Sequence, residues 1–426
     1  MSSLQEPKAG REKGRYYSAY MLLLSICGYG VYNLDKNIVS ILIEPIKKEF
    51  LLSDFQISLL VGLAGSLPVA VACIPLGLLA DRVSRVRMLI VVLVGWSLAT
   101  GLSGFATTVL LLFLSRVLVG LFEAGFTPVS LSLISDTFPP RKRATAMGAF
   151  SLGAPLGVCL ALVLGGAVAQ SHGWRAAFFI AGAPGLLLAL LMALTLREPV
   201  RGQFDVKDGS TSRPPFLAAV TNTWRDPVLR NLWTAMVCCV AVISTLSSWT
   251  PSFLIRSFGL DLRQAGFVAA IVVGGLGALG AATGGALADR LAGDDASKKL
   301  TVVIVGVVLS TTSGIAGFSL ASSLTGAVIL LAASAFFGQF FFGTGYSLVS
   351  TLSPPAMRAT TVSVLLVSFN LLSVTGGGMF VGYVSDRLKH LGPNALAMGA
   401  ASSYVFGVAG VFFFIRARAL LRRAAA

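Results

Sequence analysis

The chain of 426 residues is 55% hydrophobic and 12% charged, with a mean hydropathy of +0.83. A soluble domain carries about 25% charged residues, so the composition excludes an ordinary water-soluble protein and implies a chain that lives in lipid. The net charge of +15 does not imply nucleic acid, because the basic residues fall in short loops between apolar runs rather than in a patch with stacking aromatics.

A bilayer core takes about 20 apolar residues per helix. Twelve such spans are expected, near residues 17–40, 56–79, 87–106, 109–134, 144–169, 176–196, 231–255, 265–288, 299–320, 325–350, 358–385 and 395–415. The polar head before the first span is followed by an apolar stretch too long for a cleaved signal and lacking a clear cleavage site. One long polar stretch, Arg197 to Arg230, contains Asp205, Lys207, Asp208 and Pro214-Pro215 and reads as a cytoplasmic linker. The expected organisation is therefore a six-helix half over 1–196, a linker over 197–230 and a second six-helix half over 231–426. With the N-terminus inside, 24 Lys/Arg fall in inner segments and 7 in outer loops. That bias puts both termini in the cytoplasm.

Two short patterns recur half a chain apart. Gly77-Leu78-Leu79-Ala80-Asp81-Arg82 returns as Gly285-Ala286-Leu287-Ala288-Asp289-Arg290, and Pro139-Pro140-Arg141-Lys142-Arg143-Ala144-Thr145 returns as Pro354-Pro355-Ala356-Met357-Arg358-Ala359-Thr360. Two apolar halves with the same order of parts imply a duplicated membrane fold, the frame of a secondary transporter. In this frame Gly77 and Gly285 allow close helix contact. Asp81 and Asp289 face helix N-termini, where the backbone dipole is positive. Arg82, Arg85 and Arg290 pair with acidic groups at the rim, Asp136 being the nearest candidate for the first copy.

Four ionisable residues fall inside spans, all in the first half: Asp35, Lys36, Arg116 and Glu123. Each is costly in lipid, by about 2.5–3.5 kcal/mol on insertion scales, so each should face the interior and pair. Arg116 and Glu123 are spaced i, i+7 and share a helix face, as do Tyr29, Asn33 and Lys36. An Asp35–Arg116 pair beside a Lys36–Glu123 pair is expected. The cluster is neutral when fully ionised and +1 when Glu123 takes a proton, so proton occupancy can set the affinity for an anionic group. Glu123 and Asp35 are thus the candidates for proton coupling. Lys36, Arg116, Asn33 and Tyr29 are the candidates for holding substrate, with Gln339 and Asn370 from the second half. Phe336, Phe337, Phe340, Phe341 and Phe342 crowd the tenth span. An aromatic half opposite a charged half suits an amphiphilic solute, although such clusters often serve as filler.

The repeated Gly-x-Leu-Ala-Asp-Arg resembles the loop signature of the major facilitator superfamily. The runs Leu34-Asp35-Lys36, Glu44-Pro45-Ile46-Lys47, Gly120-Leu121-Phe122-Glu123-Ala124-Gly125, Ser135-Asp136-Thr137-Phe138-Pro139 and Trp249-Thr250-Pro251-Ser252-Phe253 are similar to its bacterial spinster-like branch. That resemblance implies an all-α membrane protein of twelve helices. It also implies a proton-linked or facilitative carrier and a lysolipid-like cargo, while the Ala/Gly/Arg-rich composition suggests a bacterial inner membrane. The branch usually has Arg after the helix-one Asp; Lys36 offers a point charge where Arg offers a two-pronged fork. A proton-linked carrier of sugar or aromatic acids is the alternative, and a sensor or lipid scramblase on the same fold is the reading from another class. The sequence carries no enzyme, metal or phosphate-loop signature. The expected partners are a small solute and membrane lipids, the expected coupling ion is the proton, and the expected state is a monomer.

Overall fold

The computed structural model describes residues 8–80, 82–201, 216–293, 295–354 and 357–425. Asp81 of the first repeated motif and residues 202–215 of the linker lie outside them. The described residues are almost wholly helical. Ten helices are long and apolar enough to cross a membrane. One of them, Pro140–Thr195, turns at Gly173, whose φ of 81° is open to glycine at little cost. Its two arms are separate crossings. With α1 (Lys8–Phe50), which is more polar than these ten, the described residues are consistent with the twelve expected crossings.

We label them α1 (Lys8–Phe50), α2 (54–80), α3 (Arg85–Gly104), α4 (Val109–Thr137), α5 (140–172), α6 (174–195), α7 (Pro227–Phe258), α8 (Leu262–Ala292), α9 (Ala296–Ser319), α10 (Leu324–Leu352), α11 (358–387) and α12 (Asn394–Arg423). The segment between α6 and α7 contains a short helix, Phe216–Arg225. Tyr17 bonds the backbone of Arg197 and Arg422 bonds Ser297. Both ends of the chain therefore sit on one face, here the terminal face; the opposite one is the distal face.

The duplication is written in the helix ends. α2 and α8 each begin with a capping box, Ser53 with Gln56 and Asp261 with Gln264. α1 is followed by Leu51 at φ 52° and α7 by Gly259 at φ 69°. The same left-handed cap is thus made once by a costly residue and once by the favoured one. α4 runs 15 residues to Glu123, breaks at Ala124-Gly125, then runs 12 more; α10 runs 15 to Gly338, breaks at Gln339-Phe340, then runs 12 more.

Three apolar cores divide the molecule. On the terminal side each half has its own: Met21, Leu89, Trp96 and Phe126 in one, Leu232, Met236, Leu300 and Phe341 in the other. The third lies toward the distal face and is shared, with Ile41, Leu42 and Ile46 of α1 and Trp249, Phe253 and Leu254 of α7. The halves meet most closely where α5 crosses α8. There a Cβ on Gly166 would fall 2.4 Å from the Leu262 carbonyl, and one on Gly266 would fall 2.2 Å from that of Leu162. Bare backbone lets helices approach this closely in lipid.

Polar ties reinforce the distal closure. Arg256 of α7 reaches Glu44 of α1 at 2.7 Å and Asp54 of α2 at 2.8 Å. Asp54 also takes Lys47 and the Ser385 hydroxyl, and Asp386 accepts the backbone N–H groups of Asp54 and Phe55 at 3.0 Å.

Candidate substrate and coupling site

A central cavity of about 170 Å³ lies between the halves. Asp35, Lys36, Asn37 and Ser40 of α1 line it together with Arg116 and Glu123 of α4, while α7 supplies Ser244, Ser247 and Ser248, and α11 supplies Asn370. All four of the intramembrane charges therefore converge on one space. Asp35 (1% exposed), Arg116 (4%) and Glu123 (5%) are buried, whereas Lys36 is open to the cavity.

Arg116 is held on every side. Nη1 stands 3.5 Å from Asp35 Oδ1, and Nη2 donates to the Thr100 and Ser103 hydroxyls at 3.2 and 3.0 Å. The guanidinium also lies 5.0 Å from the centre of the Phe178 ring, a favourable cation–π position. Thr100 in turn donates to Asp35 Oδ1 at 2.6 Å, so one hydroxyl of α3 bridges the acid of α1 and the base of α4. Asp35 Oδ2 and Glu123 Oε1 are both buried without a hydrogen-bond partner among the described residues.

The second expected pair does not form. Lys36 Nζ donates to Asn370 Oδ1 across the cavity at 3.1 Å and lies over the Tyr32 ring; among the described residues no ion pair joins it to Glu123. Helix spacing put Lys36 and Glu123 on inward faces, but the register between α1 and α4 decides which atoms meet.

Three of the candidate residues do not line the cavity. Tyr29 and Asn33 share the stripe of Lys36, but α5 covers that part of α1: a Cβ on Gly157 would fall 2.1 Å from the Gly30 carbonyl and 2.8 Å from the Asn33 side chain. Tyr29 stacks on Tyr32 and Phe150, and Asn33 bonds back to the Tyr29 carbonyl. Gln339 sits at the break of α10 and is turned toward Gly277 of α8. The phenylalanines of α10 are also elsewhere. Phe336, Phe337 and Phe340 pack against one another beside a groove between α8, α9 and α10, and Phe341 is core. The cavity wall on that half is aliphatic and hydroxyl-bearing, not aromatic.

Sequence reasoning missed Asn37, which accepts from Ser247 Oγ at 3.0 Å, and the hydroxyls of Thr100 and Ser103. An amide one turn beyond Asn33, next to Lys36, was a usable signal. The hydroxyls carried none, because Ser and Thr are common in membrane helices, where they bond their own backbone.

At the terminal face Arg85, 3% exposed, pairs with Asp136 and donates through Nε to Glu198 at 2.9 Å. Glu198 also accepts from the Ser84 hydroxyl and the Val86 N–H. Burial opposes its ionisation, but these donors outweigh it and hold Glu198 below the usual carboxylate range. Arg82 is exposed. In the second copy Asp289 pairs with Lys299 at 2.7 Å, while Arg290 is exposed beside the groove of α8–α10. The close contact expected at Gly77 is not made, since a Cβ there would meet nothing within 4 Å; Gly285 does lie close to α10, where a Cβ on Gly343 would fall 3.7 Å from its Cα, although a Cβ on Gly285 itself would meet nothing.

The sequence pattern of the Major Facilitator Superfamily matches residues 25–377. The chain belongs to that superfamily. It is a membrane transporter and not an enzyme, and it resembles the spinster branch. A solved structure described as a bacterial homologue of the human lysosomal transporter spinster, inward-facing and unoccupied, superposes with a TM-score of 0.84 at 29% identity, covering 95% of this chain and 98% of that one. An MFS-type efflux pump of Mycolicibacterium smegmatis is 29% identical over 93% of this transporter and 91% of its own length. A probable galactarate/D-glucarate transporter of Bacillus subtilis is 26% identical over 76% and 78%.

Proposed function

We propose that this transporter is a proton-coupled carrier of a small organic anion. It works by alternating access, the two halves rocking about the central cavity. Lys36 meets the anionic group of the solute. Arg116, already committed to Asp35, Thr100 and Ser103, sets the local field. Glu123 carries the proton and Asp35 is its charged neighbour. The terminal face is cytoplasmic, which agrees with the basic bias of its loops, and the membrane is a bacterial inner membrane. The protein works as a monomer among membrane lipids.

The observation that carries this reading is the cavity itself, where Glu123 presents a buried oxygen that no donor satisfies in the same space as the accessible Lys36 ammonium. Taking up a proton removes a charge that this oxygen has no donor to stabilise. Two features favour a small acid over a long lipid. About 170 Å³ is below the roughly 300–1,000 Å³ of pockets for drug-sized ligands. The wall opposite the charges mixes the aliphatic Val240, Ile243 and Val374 with the hydroxyls of Ser244, Ser247 and Ser248 and the amide of Asn370, and offers a solute hydroxyl more partners than a purely apolar wall would. The sugar-acid transporter among the relatives supports the same choice, and the likeness to spinster keeps a lysolipid-like amphiphile as the second reading.

Proteoliposomes carrying a pH dye test both. Galactarate should move protons with it, and Glu123→Gln should abolish that movement while the protein still folds. A response to a lysophospholipid alone would replace the anion reading with the amphiphile one. Full proton-coupled flux in Glu123→Gln would remove Glu123 from its role. Binding without flux would make the chain a sensor, and lipid movement indifferent to pH would make it a scramblase.

A further inference from the structure

Lys36 is the accessible cation of the cavity, and the atom it bonds belongs to the other half. Asn370 Oδ1 accepts from Nζ at 3.1 Å, while Asn370 Nδ2 donates to the Leu366 carbonyl at 3.0 Å. Chemistry fixes this orientation: an ammonium only donates and a carbonyl only accepts, so the amide cannot be reversed without losing both bonds. Asn370 therefore offers Lys36 a neutral oxygen in the manner in which a solute carboxylate would offer a charged one.

The backbone that holds Asn370 is not an ordinary helix. Residues Phe369–Val374 form a π turn. The Thr375 hydroxyl bonds the Asn370 carbonyl at 3.2 Å, and the Ser373 hydroxyl ties the turn to the Val237 carbonyl of α7 at 2.7 Å. π turns insert an extra residue into a helix and are frequent at functional sites. The Lys36–Asn370 bond thus joins α1 of one half to an irregular segment of α11 of the other, inside the cavity.

Resting on the anion reading above, we propose that Asn370 is a built-in competitor of the solute: its amide oxygen holds Lys36 and ties the halves together until an anionic oxygen displaces it. An ammonium meets a full opposite charge on a carboxylate but only a dipole on an amide oxygen, so the exchange favours the solute. The tie still lowers the fraction of molecules in which Lys36 is free, and apparent affinity falls by that fraction. A residue that only contacts the solute has the opposite signature, because its removal weakens binding.

The sign of the mutant effect decides. Galactarate binding is measured by titration calorimetry on the full chain in detergent, with thermal melting to check folding. Asn370→Ala should bind galactarate more tightly, by about fivefold, the equivalent of one ordinary hydrogen bond, and should lose part of the strict link between galactarate and proton movement in proteoliposomes. Asn370→Asp puts a permanent carboxylate against Lys36 and should weaken binding tenfold or more while keeping the melting temperature. Unchanged or weaker binding in a folded Asn370→Ala would overturn the competitor role while leaving the anion reading intact. No binding of galactarate or other sugar acids by the unaltered protein would sink both together.

Discussion

The two halves share a backbone plan and divide the chemistry. Matching helix ends put Ile243 and Ser244 in register with Asp35 and Lys36, because Leu51 and Gly259 occupy the same cap. The shared N-cap positions Thr108 and Ser323 put Leu331 and Gly338 in register with Arg116 and Glu123. Every charge in the cavity thus belongs to the first half, and the second half answers with a leucine, an isoleucine, a glycine and a serine. Leu331 is fully buried in the shared core, so the position that bonds Arg116 to its network in one half is plain packing in the other. A duplicated fold needs the helix breaks and caps twice, but it needs the coupling charges once.

The largest test of this contrast writes the second half into the first. Arg116→Leu leaves Asp35 buried without its base, and breaking such a pair costs about 3–5 kcal/mol. A steep fall in melting temperature and the loss of transport are expected. The double variant Asp35→Ile with Arg116→Leu copies Ile243 and Leu331, and should recover most of the stability but none of the transport. If it stays as unstable as the single variant, the pair and its hydroxyl partners Thr100 and Ser103 shape the fold itself.

A smaller effect should come from the distal face, where the halves meet. Arg256→Gln removes the ion pairs to Glu44 and Asp54, partly exposed contacts worth about 1 kcal/mol or less each. Distances between spin labels across the distal face should lengthen and broaden. Unchanged distances would mean that the shared core of Ile41, Ile46, Trp249 and Phe253 holds that face closed without help.

The smallest effect belongs to Glu198, which fastens the end of the first half to Arg85; Thr351, in register with Asp136, gives the second half no acid there. Glu198 is ionised more readily in the fold than in the unfolded chain. Its contribution is therefore present above the ordinary carboxylate value of about 4.3 and is lost as pH falls through the lower folded value. Glu198→Gln should lower stability at pH 7 by up to ~1 kcal/mol, the scale of a partly exposed pair. The gap from the unaltered protein should narrow as the medium is acidified below about pH 4. A gap independent of pH would assign the effect to the hydrogen bonds of Ser84 and Val86 rather than to charge.

The chain's own order of residues determined the spans, the duplication and the four charges that must find an interior, because burial in lipid penalises each polar group where it stands and the penalty needs no knowledge of neighbours. The Asp35–Arg116 contact and the Arg85–Asp136 contact followed from that same demand for partners. Tertiary packing decided the rest. Lys36 reaches Asn370 rather than Glu123 because that bond depends on how two halves are set against each other, and helix periodicity is blind to such a register. Tyr29 and Asn33 share a stripe with Lys36 yet lie under α5, because Gly157 lets that helix close on the terminal part of the stripe only. The phenylalanines of α10 lie beside the groove between α8, α9 and α10 or in the core of the second half, because the packing of the neighbouring helices decides which face of α10 meets the cavity. A face is a property of one helix; a site is a property of several, and it exists where their packing leaves a face uncovered.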